Sequence, residues 1–375
     1  MRPAPHMLDR LPQQYFTALL AEVSRHAAMD GEPLVDLGRG NPEVGPPQHV
    51  IDALAEAANL PSAHGYPPFR GLPALREAIA ARYADAYGVE IDPDTEVTIV
   101  PGTKTAICEL ALVLGEPGET IVLPDPYYPD YPSGPALAGA ETGYVPLDRS
   151  AGWAPDFSAA PRDDVAAVFL NFPSNPCAVC VPDGTFADAV EYAHETGAVV
   201  IHDFAYGDIV FDGRSPQSFL AEPGAKEVGV EMFSMSKTYG MAGWRLGFVV
   251  GNAEIVSRLD LLADHVRVGI FTPVQHAGIA ALTGPQDSVA ERVETYRRRR
   301  DRVREVLPHV TAEGSFYLWW ELPDGLTPER LLEHRVAVAP GEGFGPRGAG
   351  WARLSLAVTD DVLETGLERI ARAIA

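Results

Sequence analysis

Residues 233–248 read Phe233-Ser234-Met235-Ser236-Lys237-Thr238-Tyr239-Gly240-Met241-Ala242-Gly243-Trp244-Arg245-Leu246-Gly247-Phe248. A short apolar run ends in small hydroxyl residues around a single lysine, and an arginine follows eight positions later. A lysine just past a buried strand is poorly solvated, and burial favours its neutral amine. The neutral amine is the form that attacks an aldehyde to give a Schiff base, so Lys237 is the leading candidate for chemistry.

The same rhythm extends outward from this segment. Short β-branched runs predict strands at 97–100, 120–123, 166–171, 198–202, 232–234 and 246–250. Between them, apolar residues recurring every three or four positions predict helices at 103–114, 185–196 and 253–265. Leu72, Leu75, Ile79 and Tyr83 mark one face of an earlier helix that Gly71 and Pro73 open. Strands alternating with helices predict an α/β fold with a mostly parallel sheet covered by helices. After Thr272 the alternation stops. A long helical stretch is expected through Tyr296 toward Leu307, followed by a weaker mixed region. The expected division is a large domain over 36–270 and a small α+β domain made of 1–35 with 271–375.

A length of 375 residues suits two domains. The 29 Lys+Arg against 52 Asp+Glu leave a formal charge of -23, which repels nucleic-acid phosphates and anionic membrane surfaces, so neither is an expected partner. Three cysteines cannot build a disulfide framework, which points to a reducing compartment. The opening MRPAPHMLDRLPQQYF lacks the apolar core of a signal peptide, and no apolar run is long enough to span a bilayer. The expected location is the cytoplasm.

Four further segments carry chemistry. Val100-Pro101-Gly102-Thr103-Lys104-Thr105 takes a strand through a glycine turn into a helix, where backbone N–H groups and the helix dipole attract anions. Ile201-His202-Asp203-Phe204-Ala205-Tyr206 ends an apolar strand on a carboxylate. Pro124-Asp125-Pro126-Tyr127-Tyr128-Pro129 places two aromatic rings after another strand. Arg353, in Gly350-Trp351-Ala352-Arg353-Leu354-Ser355, offers the fork that grips a carboxylate with two parallel bonds. Taken singly, each has a plainer reading as a turn, a strand cap, a packed tyrosine or a surface ion pair.

Taken in this order and spacing, the segments resemble the class I/II aminotransferases of fold type I, which depend on pyridoxal 5'-phosphate (PLP). The resemblance runs from about residue 34 to 356. It implies a large domain with a mostly parallel seven-stranded sheet between helices, and a smaller α+β domain. The implied function is movement of an amino group between an L-amino acid and a 2-oxo acid by a ping-pong mechanism.

By the same resemblance Lys237 is the Schiff-base lysine and moves the α-proton. Ser234, Ser236 and Arg245, one fixed arginine among neutral donors, hold the cofactor phosphate together with the loop Gly102, Thr103 and Lys104. Asp203 pairs with the pyridine nitrogen and keeps the ring an electron sink. Tyr206, and Asn175 in Asn171-Phe172-Pro173-Ser174-Asn175-Pro176, serve the phenolic oxygen, while Tyr128 rather than Tyr127 stacks on the ring. Gly40, in Leu37-Gly38-Arg39-Gly40-Asn41-Pro42, lies beside the substrate, whose carboxylate Arg353 binds. Tyr66 reaches the neighbouring subunit's cofactor, which implies a homodimer with shared active sites.

Two rivals stay open on sequence alone: a PLP-dependent C–S lyase of the same fold, and a non-catalytic PLP-binding sensor. The family's Asn-Pro-Thr-Gly turn reads here Asn175-Pro176-Cys177-Ala178. Cys177-x-x-Cys180 has no second pair or clustered histidines, so both are expected to be packing residues and no metal is assigned. Arg297, Arg298, Arg299, Arg300 and Arg302 share a periodic helix with Glu294, Asp301 and Glu305, which reads as a solvated or interface face. The lysine segment looks nearest to alanine, diaminopimelate and broad-specificity transaminases. Tyr15, Arg70 and Arg267 are candidates for reading the substrate side chain.

Overall fold

The structure is a computed structural model that describes residues 6–374. Its strands in chain order are β1 (Val35–Asp36), β2 (Val97–Val100), β3 (Thr120–Asp125), β4 (Glu141–Asp148), β5 (Ala154–Pro155), β6 (Val165–Asn171) and β7 (Val199–Asp203). They continue with β8 (Gly229–Ser234), β9 (Gly247–Gly251), β10 (Val310–Thr311), β11 (Tyr317–Glu321), β12 (Val336–Ala337), β13 (Ala339–Pro340) and β14 (Trp351–Ser355).

The large sheet has the order β2-β9-β8-β7-β6-β3-β4-β5. Strands β8, β7, β6, β3 and β4 pair in parallel, and β9 runs antiparallel to both its neighbours. Seven long strands thus form the mostly parallel sheet that the sequence predicts, and the two-residue β5 adds an eighth at the rim. Successive residues feed opposite layers, as strand geometry requires. Ile121, Leu123 and Phe169 enter one core while Val122, Val168 and Leu170 enter the other. The helices Thr103–Leu114, Thr185–Thr196 and Ala253–Val266 match expectation closely.

Two sequence readings need correction. Strand β4 was not expected, because Gly143 and Pro146 interrupt its pattern; beyond it pairs only the short β5, a near-edge position where proline is tolerated. The long helix expected after Thr272 is two helices, Thr272–Thr283 and Asp287–Val306. Pro285 lacks an N–H and stops the first, and Gln286 Nε2 donates to the carbonyls of Ala281 and Gly284.

The second sheet has the antiparallel order β10-β11-β14-β13, and β1 pairs in parallel with β12. Leu318, Trp320, Leu354 and Leu363 belong to its separate apolar cluster. The chain after β1 ties the two sheets together: Leu37 N–H donates to the Ala337 carbonyl, and the Leu37 carbonyl accepts from Ser355 N–H. Residues 38–41 therefore enter the cleft between the sheets with their backbone fixed.

Candidate active site

Strands β6, β7 and β8 end on Asn171, Asp203 and Ser234, and β2 leads into the helix that begins at Thr103. A cavity of about 320 Å³ opens at these carboxyl ends, where open α/β sheets bind ligands. The helix Tyr15–Ala27 covers it with Phe16, Leu19, Leu20 and Val23.

Ser234 caps the short helix Met235–Thr238 by accepting from Ser236 N–H, and this turn brings Lys237 to the cavity. Lys237 Nζ donates to the Gly40 carbonyl at 3.2 Å. Burial lowers its amine below the usual lysine value; Arg353 and Arg245 add to the fall, while Tyr317 and Asp203 oppose it. Opposite lies the buried carboxylate of Asp203, which accepts from Tyr131 Oη at 2.9 Å and from Ala205 N–H at 3.2 Å. Burial raises the Asp203 carboxyl above the usual range, and these two donors pull it back. Beneath it, His202 Nδ1 is 2.7 Å from the fully buried Glu231, which also accepts from Tyr83 and Ser218.

At one end of the cavity Arg245 donates to the carbonyls of Ala242 at 2.8 Å and Pro101 at 3.3 Å. Gly102, with φ 85°, lets this happen, since a Cβ there would lie 2.2 Å from Arg245 Nη2. A guanidinium beside a helix N-terminus and two serines is a donor set suited to phosphate. At the other end Arg353, only 1% exposed, donates to Asn175 Oδ1 at 2.8 Å and to the Gly38 carbonyl at 3.0 Å. Its guanidinium carbon lies 3.9 Å from the centre of the Tyr317 ring, and its Nε has no partner.

Residues 32–370 match the family model described as aminotransferase class I and II. The chain belongs to the class I and II aminotransferases. It is 41% identical to L-glutamine–4-(methylsulfanyl)-2-oxobutanoate aminotransferase of Bacillus subtilis, over 98% of this chain and 95% of the relative. It is 38% identical to an LL-diaminopimelate aminotransferase of Dehalococcoides mccartyi, over 97% of each. The solved structure of substrate-bound BacF from Bacillus subtilis superposes with a TM-score of 0.93 at 38% identity, covering 99% of this chain and 98% of that one. The protein is a PLP-dependent aminotransferase that moves amino groups between amino acids and 2-oxo acids.

In this aminotransferase Gly40, Thr103, Lys104, Tyr128, Asn175, Asp203, Tyr206, Ser234, Ser236, Lys237, Arg245 and Arg353 all line the one cavity, and Gly102 abuts Arg245. The Lys104 ammonium is 2.9 Å from Asp130, which also accepts from Gln14, so its side chain is already paired. Tyr127 stacks on Tyr144 instead of reaching the cavity. Tyr66 is 90% exposed and lies outside its own chain's cavity. Tyr15, Arg70 and Arg267 do not line it either: they bind the Pro340 carbonyl, Asp260 and Glu109 respectively.

Sequence reasoning missed Tyr317, Arg39 and the covering helix. The spacing of Phe16, Leu19, Leu20 and Val23 at i, i+3, i+4 and i+7 was a readable signal of an apolar face. Tyr317 gave none, because Phe316-Tyr317-Leu318-Trp319-Trp320 reads as ordinary core. Among the described residues no helix is long and apolar enough to cross a membrane.

Proposed function

We propose that Lys237 anchors PLP in this cavity and moves the α-proton of an amino-acid substrate whose carboxylate Arg353 binds. The observation that carries this reading is the meeting, in one cavity, of an amine kept toward its neutral form, a buried carboxylate and two arginines bonded only to neutral acceptors. The residues fit the cofactor: Gly102 leaves the room Arg245 needs beside the helix N-terminus at Thr103, and Asp203 lies buried in the same cavity as Lys237.

When bound, PLP supplies an electron sink conjugated to the substrate's α-carbon. The chain's own residues do the rest. Asp203 would hold a proton at the ring nitrogen, Tyr206 and Asn175 would serve the phenolic oxygen, and Tyr128 would pack on the ring. Ser234, Ser236, Arg245, Thr103, the Gly102 turn and, more weakly, Lys104 hold the phosphate. Lys237 Nζ would be the group that takes and gives back the substrate's α-proton, with the Gly40 carbonyl beside it.

The apolar face of Phe16, Leu19, Leu20 and Val23 supports substrates with an extended apolar side chain, in keeping with the methylsulfanyl substrate named for the 41% identical relative. The exposed Tyr66, near Phe69, Val268 and Phe271 at a joint where Gly269 packs on Pro67 and Pro68, supports a homodimer in which Tyr66 completes the partner's site. The two domains, 36–270 and 1–35 with 271–375, are supported by the separate sheets at their centres, while their apolar clusters interlock: Trp319, Phe344 and Trp351 pack with the large-sheet core, and Ala205, Tyr206 and Ile209 pack with the small one. The helix Thr272–Thr283 shifts the seam, since its Ala277, Ala281 and Leu282 pack with the large-sheet core. Three free thiols accord with a cytoplasmic enzyme.

The test is half a reaction. PLP-loaded protein given methionine and no acceptor should convert to the amino form of the cofactor and release one equivalent of 2-oxo acid. Release of ammonia with the aldehyde absorbance retained would refute the proposal.

A further inference from the structure

Tyr317 is buried in the cavity and has no part in the roles above. Its position follows from strand register: β11 and β14 pair Trp319 with Arg353 and Tyr317 with Ser355. Side chains alternate along each strand, so Tyr317, Trp319, Arg353 and Ser355 share one face. The Tyr317 ring therefore lies against the Arg353 guanidinium at 3.9 Å, closer than the rings of Phe344 at 4.8 Å and Phe16 at 5.4 Å. A guanidinium stacked on a ring keeps its plane fixed, which aims both forks.

The other end of the side chain reaches different chemistry. A Cβ on Gly40 would fall 1.9 Å from Tyr317 Oη, so the hydroxyl rests against the backbone whose carbonyl accepts from Lys237. The rings of Tyr317 and Tyr206 are 5.7 Å apart at 70°. We propose that Tyr317 is a positioning residue for amino transfer: its ring sets the plane of Arg353, and its hydroxyl, seated against Gly40 with the Tyr206 ring alongside, tunes Tyr206 as a hydrogen-bond donor. This rests on the reading in which Arg353 grips the substrate carboxylate and Tyr206 serves the cofactor.

The charges around the pair agree. Arg353, Lys237 and the Tyr206 hydroxyl bring the Tyr317 phenol below its usual value despite burial. Burial and Tyr317 hold the Tyr206 phenol well above it, with Arg353 opposing, and Tyr128 faces the same two phenols. Tyr317 is thus the more acidic of the two, and Tyr206 is kept as a donor.

Two substitutions separate the roles. Tyr317→Phe removes one oxygen and keeps the ring. In apo protein, the tyrosinate absorbance of wild type minus Tyr317→Phe should reveal a phenol titrating below about 10. In PLP-loaded protein, Tyr317→Phe should move the pH at which the cofactor's visible absorbance changes by roughly 0.5–1 unit, with KM for amino acid and 2-oxo acid within about twofold. Tyr317→Leu removes the ring and should raise both KM values roughly 5- to 30-fold, an effect Tyr317→Phe lacks; Tyr317→Met replaces it should the leucine variant not fold. Unchanged titrations in Tyr317→Phe, or an unchanged KM in the ring-less variant, would overturn the proposal. Failure of the underlying reading looks different: Arg353→Leu then leaves both KM values unchanged, while the apo titration still reports on the phenol pair.

Discussion

The molecule holds two sets of arginines, and they are partnered in opposite ways. On the helix Asp287–Val306, Arg297 meets Glu294 and Asp301, Arg298 meets Asp360, and Arg299 meets Asp360 and Glu43. Arg300 binds Asp212 and Asp301, and Arg302 binds Glu364 and Glu305. Five cations in six residues thus present little unmatched charge. In the cavity, Arg245 and Arg353 bond only to carbonyl and amide oxygens. Arg245 is exposed at the cavity and Arg353 is buried; burying a charge without a counter-ion costs several kcal/mol, so Arg353 above all is the place where an anionic ligand gains most. Density of arginine alone therefore does not mark an anion site.

The contrast can be attacked from both sides. The largest effect is expected at the amine the two cavity arginines flank: Lys237→Ala should lower kcat on the order of 10⁴-fold, measured with methionine and a 2-oxo acid. Arg353→Leu should lower kcat/KM roughly 10²-fold, mostly through KM for both substrates, with the cofactor still bound. Arg299→Ala, on the helix, should leave kinetics within about twofold yet cost about 2 kcal/mol in urea unfolding, because Arg299 is nearly buried among Glu43, Asp360 and the Leu356 carbonyl. Arg298→Ala, exposed at 59%, should change stability by less than about 1 kcal/mol and turnover not at all. A substrate-affinity loss in either helix variant would erase the distinction.

The smallest expected effect is in pH. Arg299 and then Arg298 hold the Asp360 carboxyl below its usual range. A depressed carboxyl contributes stability above its unfolded value and loses it as pH falls through the folded one. The urea midpoint of wild type should therefore stay apart from that of Asp360→Asn above about pH 5 and converge on it only as pH falls through the folded carboxyl's value, below 3.8.

Much of this was legible in the chain because period and punctuation carried it. Buried parallel strands alternate with helices whose starts and stops are written in glycine and proline, so the helix 103–114 and the ends of β6, β7 and β8 could be placed from residues alone. Lys237, Asp203, Asn175, Arg245 and Arg353 then converge because each follows a strand end or lies on the second sheet facing it. Strand β4 was illegible because proline usually argues against a strand, and only its place near the sheet edge excuses it. Tyr317 was illegible because composition does not distinguish a ring packed on a leucine from one packed on a guanidinium. The lost continuity at Gly284 and Pro285 was readable, and the periodic residues on either side obscured it.

Gly38 and Gly40 accept from Arg353 and Lys237 through carbonyls only two residues apart. Two residues of chain span at most roughly 7 Å, so on the roles proposed above the backbone would act as a ruler between the carboxylate end and the reacting nitrogen end of any substrate. Changing the apolar face of the Tyr15–Ala27 helix would retune which side chains are admitted without touching that ruler. Inserting one residue at 39 would stretch it for every substrate alike.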